Sequence, residues 1–337
     1  MASTLNAQMK LITIEEHLND PAIAAATAKV LGPIVPYTSI TTDNLPGGVL
    51  ENAGAERLAR MDAAGIDMQI LSYINSPQFL PASEAIPLTK AANNRLAEAI
   101  KAHPDRFAAF AMLPLGDPEA SAEELKRCVK ELGFKGALIA GRPAAAAKFL
   151  DDPFFAPVLE AANELKVPIY MHPGYPHKDV QKVYYSGFDS LVTSLFSLYA
   201  WGWHNEAGIQ IIRMILAGVF DKYPNLQLIS GHWGEMVPFF LYRMDGMLPQ
   251  QTTHLQQSIL NTYKNHIYVT PSGMFTWPQF QFTLEVLGAD RIIYSVDYPY
   301  VQENNAREFL NNAPISNEDR EKIAHGNAEK LFKLPHN

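Results

Sequence analysis

Short apolar runs alternate with amphipathic stretches along the whole chain. Eight runs read as strands: Leu11–Ile14, Met68–Tyr73, Phe107–Leu113, Gly136–Ala140, Val167–Met171, Leu226–Ser230, His266–Thr270 and Arg291–Val296. Between them, apolar residues recur at helical spacing. Leu58 and Met61 share one side of a helix over Glu56–Ala64, which Gly65 stops. Leu88, Ala92, Leu96 and Ala99 mark a helix over Leu88–Ala102. Asp117-Pro118-Glu119 and Asp151-Asp152-Pro153 are helix starts, with Asp as cap and Pro in the first turn. The second of these precedes a helix over Phe155–Leu165, and another over 209–220 ends before Tyr223-Pro224-Asn225. Alternating β and α units predict a parallel sheet. Eight of them predict an α/β fold closed as a (β/α)8 TIM barrel, with an open doubly wound sheet as the alternative. No Gly-x-Gly-x-x-Gly follows the first strand and no Gly-Lys-Ser/Thr loop is present, which weighs against the nucleotide-binding versions.

Two stretches exceed a minimal barrel. Leu18–Asn52, rich in Pro, Thr and Gly, is an insertion after strand 1; His177–His204, rich in Tyr, Phe, Trp and Ser, is a long loop after strand 5. Long loops at the catalytic face of a barrel usually form the pocket or a lid. Ala144–Ala147 reads as a surface turn or a helix start. No linker is visible, so residues 1–337 are read as one domain.

Four of the apolar runs end in a polar island: Glu15-Glu16-His17, His172, His232 and Asp297. Imidazoles and carboxylates are ligands for divalent transition metals. Residues at the carboxyl ends of successive strands converge on one face of a barrel. Strand alternation turns Glu15 and His17 the same way and Glu16 the other. A buried carboxylate needs a partner, and a divalent ion supplies one for Glu15 and Asp297 together. The bland reading wins for His103, His254 and His336, which lie in loops or the tail, and His325 reads as a buttress of the last helix.

Bulk composition narrows the alternatives. With 47% hydrophobic and 18% charged residues, the 337-residue chain can bury a large core. A net charge of −8 argues against nucleic acid or an anionic membrane as partner. No run approaches the ~20 apolar residues of a membrane span, and no secretory signal is visible in Met1–Lys10. The single cysteine, Cys128, excludes an intrachain disulfide and fits a cytoplasmic location; in its helical setting it reads as a small packed hydrophobe.

The islands, taken with their flanks, resemble the amidohydrolase superfamily and its branch of non-oxidative decarboxylases. The nearest likeness is to the γ-resorcylate and 2,3-dihydroxybenzoate decarboxylases and to aminocarboxymuconate-semialdehyde decarboxylase. The motifs that carry it span nearly the whole chain: Leu-Ile-Thr-Ile-Glu-Glu-His at 11–17, Val-Pro-Ile-Tyr-Met-His-Pro at 167–173, Ser-Gly-His-Trp-Gly-Glu at 230–235, Tyr-Ser-Val-Asp-Tyr-Pro at 294–299 and Gly-Asn-Ala-Glu-Lys-Leu-Phe at 326–332. The resemblance implies one divalent metal ion, zinc or manganese, held by Glu15, His17, His172 and Asp297. Two carboxylates in the set tilt toward manganese. It implies His232 and Glu235 as a catalytic pair beside the metal, with Asp297 as the first choice for proton donor. Arg243 and Tyr298 would meet the substrate, Arg243 in some members across a subunit interface. The implied substrate is a small aromatic carboxylate of the hydroxybenzoate type, and the implied assembly a homodimer or homotetramer. Trp203, Trp233, Tyr298 and Tyr300 could wall the ring.

The chain departs from the γ-resorcylate pattern at three places. Ala140 stands for an asparagine, Tyr298-Pro299-Tyr300-Val301 for an aromatic-Pro-Phe-Glu run, and the strand-five loop is Gly174-Tyr175-Pro176-His177. Two other readings stay open: a metal-dependent hydrolase of a lactone or amide in the same site, and a non-catalytic ligand-binding barrel.

Overall fold

The computed structural model describes residues 9–32, 53–142, 148–302 and 305–334. Most of the strand-one insertion, the Ala144–Ala147 tract and His336 lie outside the described residues.

Strands β1 (Ile12–Leu18), β2 (Met68–Tyr73) and β3 (Phe107–Ala109) pair in parallel in that order. Strands β4 (Ala137–Ala140), β5 (Ile169–His172), β6 (Leu228–Ser230) and β7 (Ile267–Val269) form a second parallel set. Single parallel bridges join the two into a ring: Ala111 to Ala137, Val269 to Ile292, and Ser295 to Ile14. The eighth segment, 292–296, is held on one side by Ile293 N–H to the Val269 carbonyl (2.9 Å) and on the other by Ile14 N–H to the Tyr294 carbonyl (3.1 Å). The cyclic order is that of the expected eight-unit barrel. Predicted strands three and eight are shorter than their apolar runs, because a 3-10 turn at Ala289–Arg291 takes the start of the eighth, and beyond Ala109 only Ala111 makes a bridge.

Alternation along the strands sorts side chains into two cores. Ile12, Ile14, Met68, Ile70, Ala108, Phe110, Leu138, Tyr170, Ile229, Tyr268 and Ile293 fill the barrel, joined by Ala328 and Phe332 of the C-terminal helix Asn327–Phe332. The opposite faces pack on the helices in a larger cluster that includes Leu71, Ile139, Met171, Leu125, Val158 and Ile211. A parallel sheet covered on both faces is why its strands read as continuous apolar runs.

Helices start where the sequence signals them. Asp117 accepts from Ala120 N–H at 3.0 Å to cap the helix Pro118–Lys130. Cys128 is buried there, its thiol 3.4 Å from Glu124 Oε1 and pushed up by burial, as a packed residue rather than a nucleophile. Two helices differ from expectation. The one before β3 begins at Ala82 and carries Pro87 inside it. The one before β6 runs Gly202–Leu216 and is broken from Val219–Lys222 by Gly218 at φ 68°. The stretch after β5 is helical rather than a loop, with short helical pieces at Lys178–Val180 and Gln181–Tyr185 and an eight-residue helix Ser190–Ser197. The insertion after β1 opens with α1 (Pro21–Leu31), capped by Asp20 through Ile23 N–H at 3.1 Å. Among the described residues, no helix is long and apolar enough to cross a membrane.

Candidate metal centre

Strand β1 does not alternate evenly. Ile12 and Ile14 face the barrel interior, so a regular strand would turn Glu16 inward and Glu15 outward. Instead the register with β2 slips between Ile14 and Glu16, and Glu15 sits at φ 66°. This bulge resets the alternation. Glu15 and His17 turn into the site. Glu16 turns away, its Oε1 accepting from Val296 N–H at 3.2 Å and its Oε2 from Gln69 Nε2 at 3.3 Å. The orientation expected from strand parity holds, but a backbone irregularity produces it.

Glu15, His17, His172 and Asp297 each offer one ligand atom, and these four atoms lie within 4.8 Å of one another. Glu15 Oε1, His17 Nε2 and Asp297 Oδ1 are buried without a hydrogen-bond partner. His172 Nδ1 lies 2.7 Å from the Pro173 carbonyl, which can only accept, so Nδ1 carries the proton and Nε2 presents its lone pair. On the far side Glu15 Oε2 accepts from Ser272 Oγ and, at 3.3 Å, from Ser295 Oγ. A Cβ on Gly231 would come within 2.7 Å of Ser272 Oγ and 3.1 Å of Glu15 Oε1, so only glycine admits this packing.

Charge in the cluster is unbalanced. Burial and the neighbouring Asp297 push the Glu15 carboxyl up. Burial raises Asp297 to about 7, against the lowering pull of His232 and His204. Burial lowers His17 to about 4 and takes His172 well below its usual value, helped by neighbouring imidazoles. Both imidazoles are therefore neutral at pH 7, the form that binds a metal. Two carboxyls raised by burial, beside two neutral imidazoles, fit a divalent cation.

A trio stands beside this cluster of four. His232 Nδ1 is 2.7 Å from Glu235 Oε1, and His204 Nδ1 is 2.9 Å from Glu235 Oε2. These are hydrogen-bond lengths with one imidazole on each carboxylate oxygen, so the trio reads as a charge relay rather than a second metal site. Burial alone would lower His232; the Glu235 carboxylate outweighs it and raises His232 to about 9. Burial raises Glu235, and the two imidazoles outweigh that and lower it. The backbone here is unusual: His232, Trp233, Gly234, Glu235 and Met236 all have φ between 48° and 88°. Left-handed residues of this kind gather at functional sites.

Both groups open into a cavity of about 1670 Å³, whose lining includes Ala140, Tyr175, Tyr199, Trp203, Trp233 and Tyr300. The two residues expected to meet substrate fall elsewhere. Tyr298 is buried outside the cavity lining, its ring under the Arg57 guanidinium at 4.8 Å, where the chain leaves the strand in a turn: Asp297 sits at φ 67° and its carbonyl accepts from Tyr300 N–H at 3.0 Å. Arg243 lies on the exposed side of helix Val237–Met247 and does not line the cavity.

Three residues that reading the sequence passed over belong to the site. Ser272 follows β7, and its hydroxyl accepts from His232 N–H at 2.9 Å while donating to Glu15. The rule that found the four islands, a polar residue just past an apolar run, would have found it. His204 comes from the helix after β5 and nothing local marks it. Arg57, from α2 (Ala55–Ala64), donates to the His17 carbonyl at 2.7 Å and to Gln69 Oε1 at 3.2 Å.

An eight-unit parallel barrel with a four-residue Glu/His/Asp cluster at its strand ends defines a barrel protein with one candidate mononuclear metal centre. The chain belongs to the amidohydrolase family, whose pattern matches residues 40–334. It is 36% identical over 289 residues to γ-resorcylate decarboxylase of Polaromonas sp., covering 82% of this chain and 86% of that protein. It also resembles the crystal structure of a dihydroxybenzoic acid decarboxylase from Polaromonas sp. with bound manganese and the inhibitor 2-nitroresorcinol. There the TM-score is 0.84 at 31% identity, covering 98% of both chains. The crystal structure of 5-carboxyvanillate decarboxylase from Sphingomonas paucimobilis gives a TM-score of 0.87 at 30% identity, covering 97% of this chain and all of that one.

Proposed function

We propose that this protein is a metal-dependent, non-oxidative decarboxylase of a hydroxybenzoate-type aromatic acid. The observation that carries the reading is the cluster of Glu15, His17, His172 and Asp297, whose ligand atoms lie within 4.8 Å of one another at the base of an aromatic-walled cavity. Glu15, His17, His172 and Asp297 would hold a divalent ion, which would supply Lewis-acid charge for an anionic substrate. The two carboxylates favour manganese over zinc.

The chain's own groups account for the proton. The reaction replaces a ring carboxylate by hydrogen: a proton adds to the ring carbon, carbon dioxide leaves, and the electrons of the broken C–C bond restore the aromatic ring. Asp297 faces the cavity and delivers the proton. His232, held protonated by Glu235, passes its own proton on, and His204 secures the second carboxylate oxygen. Trp203 and Trp233 exclude water from the ring.

The same reading extends to assembly. Helix Val237–Met247 exposes Phe239, Phe240, Tyr242 and Met247 beside Arg243. An apolar face of this kind on a monomer marks a contact surface, and a homodimer or homotetramer formed through it would carry Arg243 toward a neighbouring subunit's cavity. The lone buried cysteine fits a cytoplasmic setting.

The test is turnover. The metal-loaded protein is incubated with 2,6- and 2,3-dihydroxybenzoate and released carbon dioxide is followed. Release supports the reading; no release from a panel of hydroxybenzoates, together with hydrolysis of a lactone, replaces it with the hydrolase.

A further inference from the structure

One hydroxyl joins the ligand cluster to the His232 turn. Ser272, just past β7, is 2% exposed. Its oxygen accepts from His232 N–H at 2.9 Å and donates to Glu15 Oε2. Its own N–H donates to Ser295 Oγ at 2.8 Å, and Ser295 Oγ donates to the same Glu15 oxygen at 3.3 Å. Two hydroxyls therefore converge on Oε2. The other oxygen, Oε1, is turned toward His172, 3.8 Å from its Nε2.

The row of hydroxyls continues behind Ser272. Thr270 Oγ1 lies 3.1 Å from Ser272 Oγ, and the Tyr170 hydroxyl lies 3.0 Å from Thr270 Oγ1. Tyr170, Thr270 and Glu15 are fully buried, and burial keeps the Tyr170 phenol protonated. A hydroxyl has one proton and two lone pairs, and an ionised carboxylate can only accept. With Glu15 ionised, as a metal ligand must be, the Ser272 proton goes to Glu15. The Ser272 lone pairs then take His232 N–H and the Thr270 proton, and Thr270 takes the proton of Tyr170. Every proton in the row points toward the carboxylate, an order in which each bond strengthens the next. The backbone gives no other reason for serine. Ser272 sits at φ 45° and Gly273 at φ 71°, a left-handed pair that favours glycine at both positions. What serine adds at the first is the hydroxyl.

We propose that Ser272 is a positioning residue that ties the ligand Glu15 to the His232 turn. Held through Oε2, the Glu15 carboxylate has its torsion fixed and offers Oε1 to the ion. Held through its N–H, His232 begins its left-handed turn at a set distance from that ligand. The metal centre and the proton relay are thereby kept in register by one side chain that belongs to neither. The proposal rests on the metal-dependent decarboxylase reading. It adds the residue that orients the site for it.

The experiment uses Ser272→Gly, which removes the hydroxyl and suits the left-handed backbone, so the metal-free variant is expected to keep its fold by circular dichroism. Its manganese Kd, measured by titration calorimetry, is expected to rise about ten- to hundredfold, the usual effect of losing a partner behind a metal ligand. With manganese saturating, kcat on 2,6-dihydroxybenzoate is expected to stay about tenfold down, because His232 N–H has lost its acceptor as well. Ser272→Ala is the second variant should the first fail to fold. A folded variant whose manganese Kd moves by less than about threefold overturns the proposal, whatever its Tm. Full recovery of the rate at saturating manganese overturns the tie to His232. Failure of the decarboxylase reading looks different: the wild type releases no carbon dioxide from any acid, while calorimetry still separates it from the variant. A wild type that binds no manganese overturns the proposal together with the metal centre.

Discussion

Glu235 holds His232 through a 2.7 Å contact between Oε1 and Nδ1, three residues apart on a left-handed turn. Five successive residues here have positive φ, so the pair meets across a left-handed turn and not along an ordinary helix. The carboxylate raises the imidazole to about 9, so His232 is a cation at neutral pH. His232 lines the cavity, and Nε2 is the ring nitrogen that Glu235 does not hold.

Glu235→Gln keeps the shape and removes the charge. His232 should then titrate nearer its ordinary value, and the alkaline limb of the pH–rate profile should move down from about 9. The rate should fall on the order of a hundredfold, the scale of general acid–base assistance. A profile with an unmoved alkaline limb contradicts the assignment. Stability follows the same group. A raised histidine contributes fully below its unfolded value near 6.5 and loses that contribution as pH rises through about 9.

Asp297→Asn should abolish turnover while the protein stays folded, because the amide neither ligates a cation as a carboxylate does nor releases a proton. Circular dichroism and a carbon dioxide assay on one sample decide it. A rate near that of the wild type removes Asp297 from the mechanism.

Metal removal should make stability depend on pH in a definite direction. Asp297 is raised from 3.8 to about 7 by burial, so the folded state holds a proton that the unfolded chain has released. Stability of the metal-free protein should therefore fall as pH rises from about 4 to about 7. Manganese should reverse the trend by pairing the carboxylates. Differential scanning calorimetry at pH 5 and pH 8, with and without the ion, measures it; a metal-free Tm that climbs with pH would falsify the charge argument.

Arg57→Met tests the layer behind the ligands. The guanidinium is 2% exposed and donates to the His17 carbonyl and to Gln69. Methionine fills the space but leaves those acceptors without this donor, at about 1–3 kcal/mol each. A lowered Tm is expected together with weaker manganese binding, because the His17 backbone loses its brace. Loss of stability with unaltered metal affinity would separate the brace from the site.

Gly231→Ala should leave the barrel formed but displace Ser272 and Glu15, since the added Cβ would come within 2.7 Å of the serine hydroxyl. Metal content by elemental analysis should drop further than Tm does.

Much of this was legible in one dimension. Buried parallel strands must be apolar on both faces, so the eight runs stood out, and their order predicted the ring. A charged residue at the end of such a run has few structural uses, which is why Glu15, His17, His172, His232 and Asp297 could be named without coordinates. Caps such as Asp117 and Asp152 were visible because they act on backbone a few residues away. Tertiary structure alone decided the rest. The bulge at Glu15 turns the strand's parity over, and no residue type there announces a positive φ. Tyr298 and Tyr300 look interchangeable in sequence, yet the turn that begins at Asp297, at φ 67°, sets one against Arg57 and the other in the cavity lining. His204 and Arg57 join the site from helices 31 and 40 residues away from the partners they bond. Strand ends impose a local pattern that sequence must carry; contacts from the surrounding helices impose none, because only the packed barrel brings those side chains within reach.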